Sequence, residues 1–307
     1  VDKQDAIERI RKIMQRQLIT GYLKQWNFHN SAPESGLATL RLSDAPIWLM
    51  ICSIEVITHV IKDNSLYHEK AAYKDSDTEE TFYEHLRRAA LFMSDESELG
   101  AHGICLMRDG DWTDPMNAAG RKGRGESVWN TMALIYAIKE LCKVFHDEEL
   151  LARAQMLKEN INTHCWDGEW YLAAIDDEGR KVGTSEDKEG KILLNPQTWA
   201  IISGVAEGER LEKIKGHIEG LKTAFGYKLL KPPFSKWNEK FGKISIKQPG
   251  ALENVSVYCH GTMFKAFADF IMNDKKSALD CIAMTLPTNP NNSNEINLQL
   301  PLYASNY

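Results

Sequence analysis

Apolar residues recur with a helical period along most of the chain, and strongly apolar segments alternate with amphipathic ones. Residues 5–23 place apolar side chains near a 3.6-residue period with charges between them, which predicts a helix. Residues 47–61 are apolar on nearly every side, as expected of a helix buried all round. Ser43 is a suitable N-cap for this helix, with Pro46 in its first turn. Residues 78–93 are predicted to form a more amphipathic helix.

The same alternation continues towards the end of the sequence. A buried helix over 126–144 precedes a more solvated one over 148–164, and later helices are predicted at 196–205, 207–223, 258–272 and 275–284. The pattern suggests an inner and an outer layer of helices joined up and down, and not helices packed on a sheet. We therefore predict an all-α fold, a toroid of helix pairs within one domain spanning residues 1–307.

Polar, glycine and proline clusters predict where the helices are interrupted. Loops are expected at 27–40 and 231–250, with an irregular end from residue 287. The letters W-D-G-E-W-Y and D-D-E-G-R within 165–183 predict a short β-hairpin at a helix end. A loop as long as 231–250 is often functional in a compact domain.

Charge and composition narrow the classes of partner. The 307-residue chain has a formal net charge of -6 and scattered basic residues, so nucleic acid is not an expected partner. No apolar run approaches the roughly 20 residues that span a bilayer, so no membrane partner is expected. The six cysteines include no C-x-x-C pair, which indicates free thiols in a reducing compartment and predicts a cytoplasmic location. The first residue, Val1, indicates a processed N-terminus or a piece of a longer protein.

Candidate chemistry concentrates in residues 109–126, where Asp109, Asp111 and Asp114 surround Trp112. Three interpretations are open on the residues alone. A calcium loop of the EF-hand type needs an acidic ligand at its twelfth position, which here is glycine. A plain acidic turn would use the aspartates to bind backbone amides. A carbohydrate site would stack a sugar on Trp112 and take a proton from a carboxyl whose pKa is raised by neighbouring charges and an apolar wall.

The run G-D-W-T-D-P-M-N-A-A-G-R-K-G-R-G-E-S-V-W resembles the catalytic-loop signature of glycoside hydrolase family 94, the cellobiose and chitobiose phosphorylases. Three other stretches match in the same order. They are R-L-S-D-A-P-I-W-L from Arg41, L-N-P-Q-T-W-A-I-I-S-G from Leu194, and P-G-A-L-E-N-V-S-V-Y-C-H-G from Pro249. Four ordered matches over most of the chain are specific, and they also fit the related domain of cyclic β-1,2-glucan synthases.

The resemblance implies an (α/α)6 barrel, incomplete in this chain, with small β-hairpin decorations and an inverting phosphorylase site. Asp114 would be the general acid that protonates the glycosidic oxygen of a β-linked gluco- or N-acetylgluco-oligosaccharide. Inorganic phosphate, the co-substrate, would attack the anomeric carbon from the opposite face, so no catalytic base, cofactor or metal is required. His260 would hold phosphate and Trp112 would pack on a sugar ring. Asp111 would bond hydroxyls or tune Asp114.

The matching stretches also imply further substrate-binding residues: Glu253, Gln197, Arg41 and Asp44. A purely structural ion pair between Arg41 and Asp44 is an equal alternative, and His260 could instead be a histidine satisfied at a helix start. Glu126 is expected to cap its own helix, with a reach into the site from that helix start as the alternative. Trp199 is expected to pack in the core.

Two departures from the family pattern change the expectation. The family usually has two glycines after E-N, which let backbone approach a ligand closely, whereas this chain has Val255 and Ser256. The family's N-terminal β-sandwich and first barrel helices have no counterpart, so we expect the later part of a larger protein.

Two other functions stay open at this point. An inverting hydrolase on the same barrel would need a second carboxylate roughly 6.5–9.5 Å from Asp114, for which Glu253 is the candidate. A non-catalytic carbohydrate-binding or structural fragment would bind sugar, or nothing, without turnover. A homodimer is a possible assembly.

Overall fold

A computed structural model of the chain describes residues 2–24 and 40–291, which are mostly helical. The helices in these residues are α1 (Lys3–Met14), α2 (Ala45–Glu55), α3 (Phe82–Met93), α4 (Val128–Val144), α5 (Glu148–His164), α6 (Leu194–Ile202), α7 (Gly208–Glu219), α8 (Cys259–Ile271) and α9 (Lys275–Thr285). Apart from Leu40, the loop predicted at 27–40 lies outside the described residues, as does most of the irregular end predicted from residue 287.

The helices form two layers. The inner helices α2, α4, α6 and α8 pack side by side in that order, and each also packs against the helix that follows it in the chain. Helix α4 is inner because it buries residues on nearly every side, whereas α5 buries only a stripe formed by Leu150, Ala154, Leu157 and Ile161. The predicted all-α fold of paired inner and outer helices is confirmed, with four such pairs in the described residues.

Several helix boundaries differ from the prediction. Helix α1 ends at Met14, short of the predicted residue 23. After α2, the chain continues as a π-helical segment over Val56–Ile61, with Lys62 as its C-cap. The helix predicted from residue 78 begins at Phe82, because the preceding residues Ser76–Thr81 pair as a strand and the Thr81 side chain caps the helix.

Two predicted caps were wrong, and both residues have other partners. Ser43 does not cap α2, because its hydroxyl donates to the carbonyl oxygens of Met107 and Gly110, both at 2.9 Å. Glu126 does not cap α4, because Ser127 occupies the N-cap and accepts the Asn130 amide hydrogen. The Glu126 carboxylate instead binds His102, accepting its backbone amide at 2.9 Å and lying 2.5 Å from its Nδ1.

Short strands decorate the helical ring. The described strands are β1 (Lys70–Tyr73), β2 (Ser76–Thr81), β3 (Glu126–Ser127), β4 (Ala174–Ile175), β5 (Lys181–Val182), β6 (Ile192–Leu193) and β7 (Leu230–Lys231). They pair antiparallel as β1–β2, β3–β4–β5 and β6–β7. The hairpin predicted within 165–183 is confirmed as β4–β5, and the long loop at 231–250 is confirmed with one 3₁₀ turn, Lys243–Ile246.

The inner helices meet around an aromatic core. Trp48, Trp129, Trp199 and Phe264 come from α2, α4, α6 and α8, and Trp48 contacts each of the other three rings. Trp199 is buried, as predicted. Among the helices of the described residues, none is long and apolar enough to cross a membrane.

Candidate active site

The four matching sequence stretches arrive at one end of the ring, where the inner helices begin. Asp44 precedes α2, Ser127 precedes α4, Leu193 precedes α6 and Tyr258 precedes α8. Ser43, Ser127 and Tyr258, at the starts of α2, α4 and α8, contact Gly110, Asp111 and Trp112 of the loop. The folding of the chain therefore gathers residues more than 200 positions apart into one region.

Asp111 is buried, and its side chain anchors the carboxylate loop, which comprises residues 109–126. Its two oxygens accept hydrogen bonds from the Ser127 hydroxyl at 2.6 Å and from the Thr113 amide at 2.9 Å. Burial raises the pKa of the Asp111 carboxyl, and these two hydrogen bonds oppose that rise. The basic part of the loop is held differently, since Asp177 accepts the backbone amides of residues 122, 124 and 125.

Asp114 stands at the exposed edge of the same loop. Its side chain reaches solvent, yet the surrounding protein removes part of the hydration of the carboxylate. This loss of hydration, together with the nearby charges of Asp111 and Glu253, raises the pKa of Asp114. A solvent-accessible carboxyl with a raised pKa has the properties required of a general acid.

A third aspartate comes from the start of α2. Asp44 is buried, and its carboxylate accepts the indole hydrogen of Trp48, one helical turn later, at 3.0 Å. Burial, reinforced by the charge of Asp111, raises the pKa of Asp44 to about 7. The carboxyls of Asp44, Asp111 and Asp114 thus influence one another from two different segments of the chain.

Trp112 and His260 are joined by a hydrogen bond between side chains. The Trp112 indole donates to Nδ1 of His260 at 3.0 Å, and the Trp112 ring also packs against Phe264. Burial lowers the pKa of His260, which favours the neutral ring. Because Nδ1 accepts, the neutral ring carries its hydrogen on Nε2, and this nitrogen is the donor that remains for a ligand.

The turn before α8 contributes Glu253 and Tyr258. The Tyr258 hydroxyl donates to the Glu253 carboxylate at 3.1 Å, and its ring meets Trp112 edge-on with centroids 6.4 Å apart. Burial and the adjacent Glu253 raise the pKa of Tyr258, so the phenol keeps its hydrogen. Glu253, Tyr258, Trp112 and Asp114 therefore border the same space.

The family model of the glycosyl hydrolase 94 superfamily catalytic domain matches residues 8–305 of this chain. The chain belongs to this family. Among its curated relatives, a 3-O-β-D-glucopyranosyl-β-D-glucuronide phosphorylase of Paenibacillus borealis is 47% identical, over 100% of this chain and 40% of that protein. A solabiose phosphorylase from the same organism is 37% identical, over 82% of this chain and 34% of that protein. The family 94 chain thus spans well under half the length of these relatives.

The fold comparison agrees with the architecture. A family 63 mannosylglycerate hydrolase of Thermus thermophilus, solved with glucose, aligns with a TM-score of 0.63 over 93% of this chain and 80% of that chain. Sequence identity is 11%, so this likeness concerns the helical barrel alone.

Two of the residues assigned to the sugar site have other surroundings in this family 94 chain. The Gln197 side chain is buried, and its amide bonds the backbone N–H and C=O of Tyr171 and the carbonyl of Leu193. The expected contact of Gln197 with sugar is therefore not supported by its position. The exposed Arg41 guanidinium lies 3.5 Å from Glu98, so the alternative ion pair between Arg41 and Asp44 was wrong.

Other residues of this region were missed by sequence reasoning. Trp48 binds Asp44 across one helical turn, and its i, i+4 spacing could have revealed the pair. Tyr258 and Ser127 both lie within matching stretches, but neither carries a pattern of its own. Within the described residues, no group of three or more metal-ligating side chains is positioned to hold a metal ion.

Proposed function

We propose that this family 94 chain supplies the catalytic centre of an inverting phosphorylase that cleaves β-linked glucosyl or N-acetylglucosaminyl oligosaccharides to a sugar 1-phosphate. The observation that carries the proposal is Asp114, an accessible carboxyl whose pKa is raised beside a buried aspartate and an aromatic wall. The family match and the phosphorylase activities named for two relatives give independent support.

The chemistry needs one proton donor and one anionic nucleophile. Asp114 protonates the glycosidic oxygen as the bond to the anomeric carbon breaks, and the leaving sugar departs as a neutral alcohol. A phosphate oxygen bonds to the anomeric carbon from the opposite face, which inverts its configuration. Because phosphate is already anionic, no second carboxylate has to activate a nucleophile.

Each remaining residue has a task in this scheme. Neutral His260 donates from Nε2 to a phosphate oxygen, and its bond with Trp112 fixes the ring for that purpose. Trp112 offers an apolar surface to the sugar ring. The carboxylates of Asp44 and Glu253 accept hydrogen bonds from the sugar hydroxyls. Asp111 keeps a charge near Asp114 and so favours the protonated acid.

The relatives suggest which substrate to test first. The relative at 47% identity is named for a glucosyl glucuronide, so we propose a β-linked glucosyl disaccharide with a uronic or neutral acceptor sugar. We further propose that residues 1–307 are one helical-barrel domain of a larger cytoplasmic enzyme, with all six thiols reduced. The predicted homodimer is tested by light scattering on the full-length protein.

Replacing Asp114 by Asn should abolish phosphorolysis by the full-length protein. The amide cannot donate the proton in the same way, so kcat is expected to fall by roughly 10²- to 10⁴-fold. Phosphorus NMR of a β-disaccharide mixture with phosphate measures the sugar 1-phosphate and its anomeric configuration. Asp109→Asn is the matched control, because Asp109 binds the Arg41 backbone amide and its amide replacement can still accept that bond.

The outcomes separate the candidate functions. Normal turnover by Asp114→Asn would refute the assignment of the acid. Free sugar released without phosphate consumption would indicate the hydrolase, with Glu253 as its second carboxylate. Saturable sugar binding without turnover in the wild type would indicate a binding module.

A further inference from the structure

Two residues beside Glu253 have a left-handed backbone although neither is glycine. Leu252 has a φ of 52° and Val255 a φ of 76°. A β-branched side chain at positive φ is a rare conformation, because its Cβ substituents crowd the backbone. Positions 252–255 therefore form a strained turn that brackets one carboxylate.

Strain of this kind persists only where the surroundings hold it. Asn254 is fully buried, accepts the Phe234 amide at 2.9 Å, and donates to the carbonyl oxygens of Phe234 at 2.9 Å and Lys247 at 2.7 Å. The Gly250 amide donates back to the Asn254 carbonyl at 2.8 Å. Four hydrogen bonds thus fasten the centre of the strained turn to the long loop at 231–250.

The Val255 side chain has a contact of its own. It packs against a second apolar cluster, separate from the main core, whose members include Met116, two residues after Asp114, and Phe234 and Phe241 on the long loop. A glycine at this position would adopt the same φ without strain but would lose this contact. The valine therefore joins the Glu253 turn to a cluster that is shared by the long loop and the loop that carries Asp114.

The other left-handed residues outside this turn have different settings. Lys62 follows the last turn of a helix and Asn273 comes directly after the end of α8, where left-handed residues are common. Arg108, with a φ of 56°, and Val255 both lie outside a helix end. The Val255 turn is closed locally by the Asn254 amide, which donates to the Ala251 carbonyl at 3.2 Å, and by the Val255 amide, which donates to the Glu253 carbonyl at 3.0 Å.

We infer that Val255 is a positioning residue, whose strained backbone and packed side chain hold the Glu253 carboxylate beside Asp114 and Tyr258. The inference rests on the proposed function and assigns Val255 a role that acts through Glu253. It also gives a reason for the departure from glycine: the apolar contact replaces close backbone approach as the feature that fixes the pocket.

The test is Val255→Gly in the full-length protein, assayed for phosphorolysis against pH. The looser turn should raise KM for the carbohydrate roughly tenfold or more, with a smaller change in kcat. Activity requires protonated Asp114 and is lost as pH rises through its pKa, which Glu253 helps to raise. Moving Glu253 away lowers that pKa, so the alkaline limb of kcat should shift to lower pH.

Two further variants complete the experiment. Tyr258→Phe removes the hydrogen bond to Glu253 without touching the backbone, so it should shift the alkaline limb in the same direction even if the glycine variant folds poorly. Lys62→Gly makes the same backbone change far from the site and should leave KM and the pH profile unchanged. Wild-type KM and pH profiles in both Val255→Gly and Tyr258→Phe would overturn the inference while Asp114→Asn still tested the function.

Discussion

At the scale of single side chains, the bond between Trp112 and His260 determines what the histidine can do. Because Nδ1 is occupied by the indole hydrogen at 3.0 Å, only Nε2 can present a hydrogen to phosphate. The ring is thereby oriented by a residue that also lines the sugar site. In the proposed phosphorylase, phosphate and sugar recognition would be linked through this one hydrogen bond.

His260→Asn should separate these two tasks. The shorter amide can still accept from Trp112 but cannot reach as far as Nε2, so one hydrogen bond to a charged ligand is lost. KM for phosphate should rise roughly 10- to 100-fold, since such a bond contributes about 1.5–3 kcal/mol. Initial rates at varied phosphate and at varied disaccharide measure the two KM values, and His146→Asn on the surface is the control. An equal rise in both KM values would contradict this assignment.

At this scale, the residues of the candidate site could be predicted from the sequence, but most of their hydrogen-bond partners could not. Asp111, Asp114 and Trp112 stand close in sequence, so their grouping followed from spacing. Trp112 and His260 are 148 positions apart, and no periodicity pairs them. Gln197 was assigned to sugar because it lies in a stretch that matches the family, but its side-chain amide is hydrogen-bonded to backbone groups that only tertiary structure reveals.

At the scale of elements, the long loop at 231–250 holds the segment that contains Asp114 in position. The Ile244 amide donates to the Pro115 carbonyl at 2.9 Å, directly after Asp114 in the chain. Gly242, with a φ of 82°, lies so close that an added Cβ would meet the Asn117 side chain at 2.5 Å and the Ala118 amide nitrogen at 2.8 Å. The position of Asp114 therefore depends on a loop more than 100 residues later.

Gly242→Ala should push these two loops apart and impair catalysis. A misplacement of about 1 Å costs on the order of 100-fold in rate, which we expect to appear in kcat/KM. Gly179→Ala is the matched control, because Gly179 has a similar φ of 76° with nothing within 4 Å of its added Cβ. Both variants should lose about 1–2 kcal/mol of stability from an alanine at positive φ. Gly242→Ala should lose more, because its Cβ also meets the Ala118 amide nitrogen, and only this variant should lose activity. Equal activity in the two variants would show that this contact does not position Asp114.

Elements followed from the sequence where the apolar pattern was long. Helix α5 was predicted with its observed bounds, since its single buried stripe and its flanking polar residues agree. Residues 78–81, which belong to the strand Ser76–Thr81, were predicted as the start of the helix over 78–93. The pairing of this strand with Lys70–Tyr73 overrode the predicted helix there.

At the scale of the whole molecule, the ionisation of Asp44 makes the folding stability depend on pH. Its pKa of about 7 lies well above its ordinary value of 3.8, so the folded protein binds this proton more tightly than the unfolded chain. The stabilisation from this group is complete below about pH 4 and is lost as pH rises towards about 7. Above about pH 7 the buried Asp44 carboxylate is ionised, and this lowers the free energy of unfolding.

Asp44→Asn should remove this pH dependence, because the amide still accepts from Trp48 but never ionises. The unfolding free energy of the variant minus that of the wild type should increase between about pH 4 and pH 8, by up to about 4 kcal/mol at roughly 1.4 kcal/mol per pH unit. Urea unfolding across that range provides the measurement, with Asp77→Asn on the surface as the baseline. A difference that stays constant with pH would rule out a raised pKa at Asp44.

The global architecture was the most predictable level, because alternating apolar and charged helices leave few arrangements other than two layers. The convergence of Asp44, Trp112 and Glu253 at one end was not implied by that alternation alone. It followed from the family resemblance, which placed all four matching stretches in a common site. The distances between these side chains depend on tertiary packing, which no sequence spacing specifies.

The common start of the inner helices has an electrostatic consequence. Each amino end of an α-helix carries about half a positive charge from its aligned peptide dipoles. Four such ends, those of α2, α4, α6 and α8, open on the region of Asp114, where several carboxyl groups would otherwise repel a phosphate dianion. Under the proposed function, a chain with a net charge of -6 would in this way attract phosphate through its backbone, without relying on a cluster of lysines and arginines.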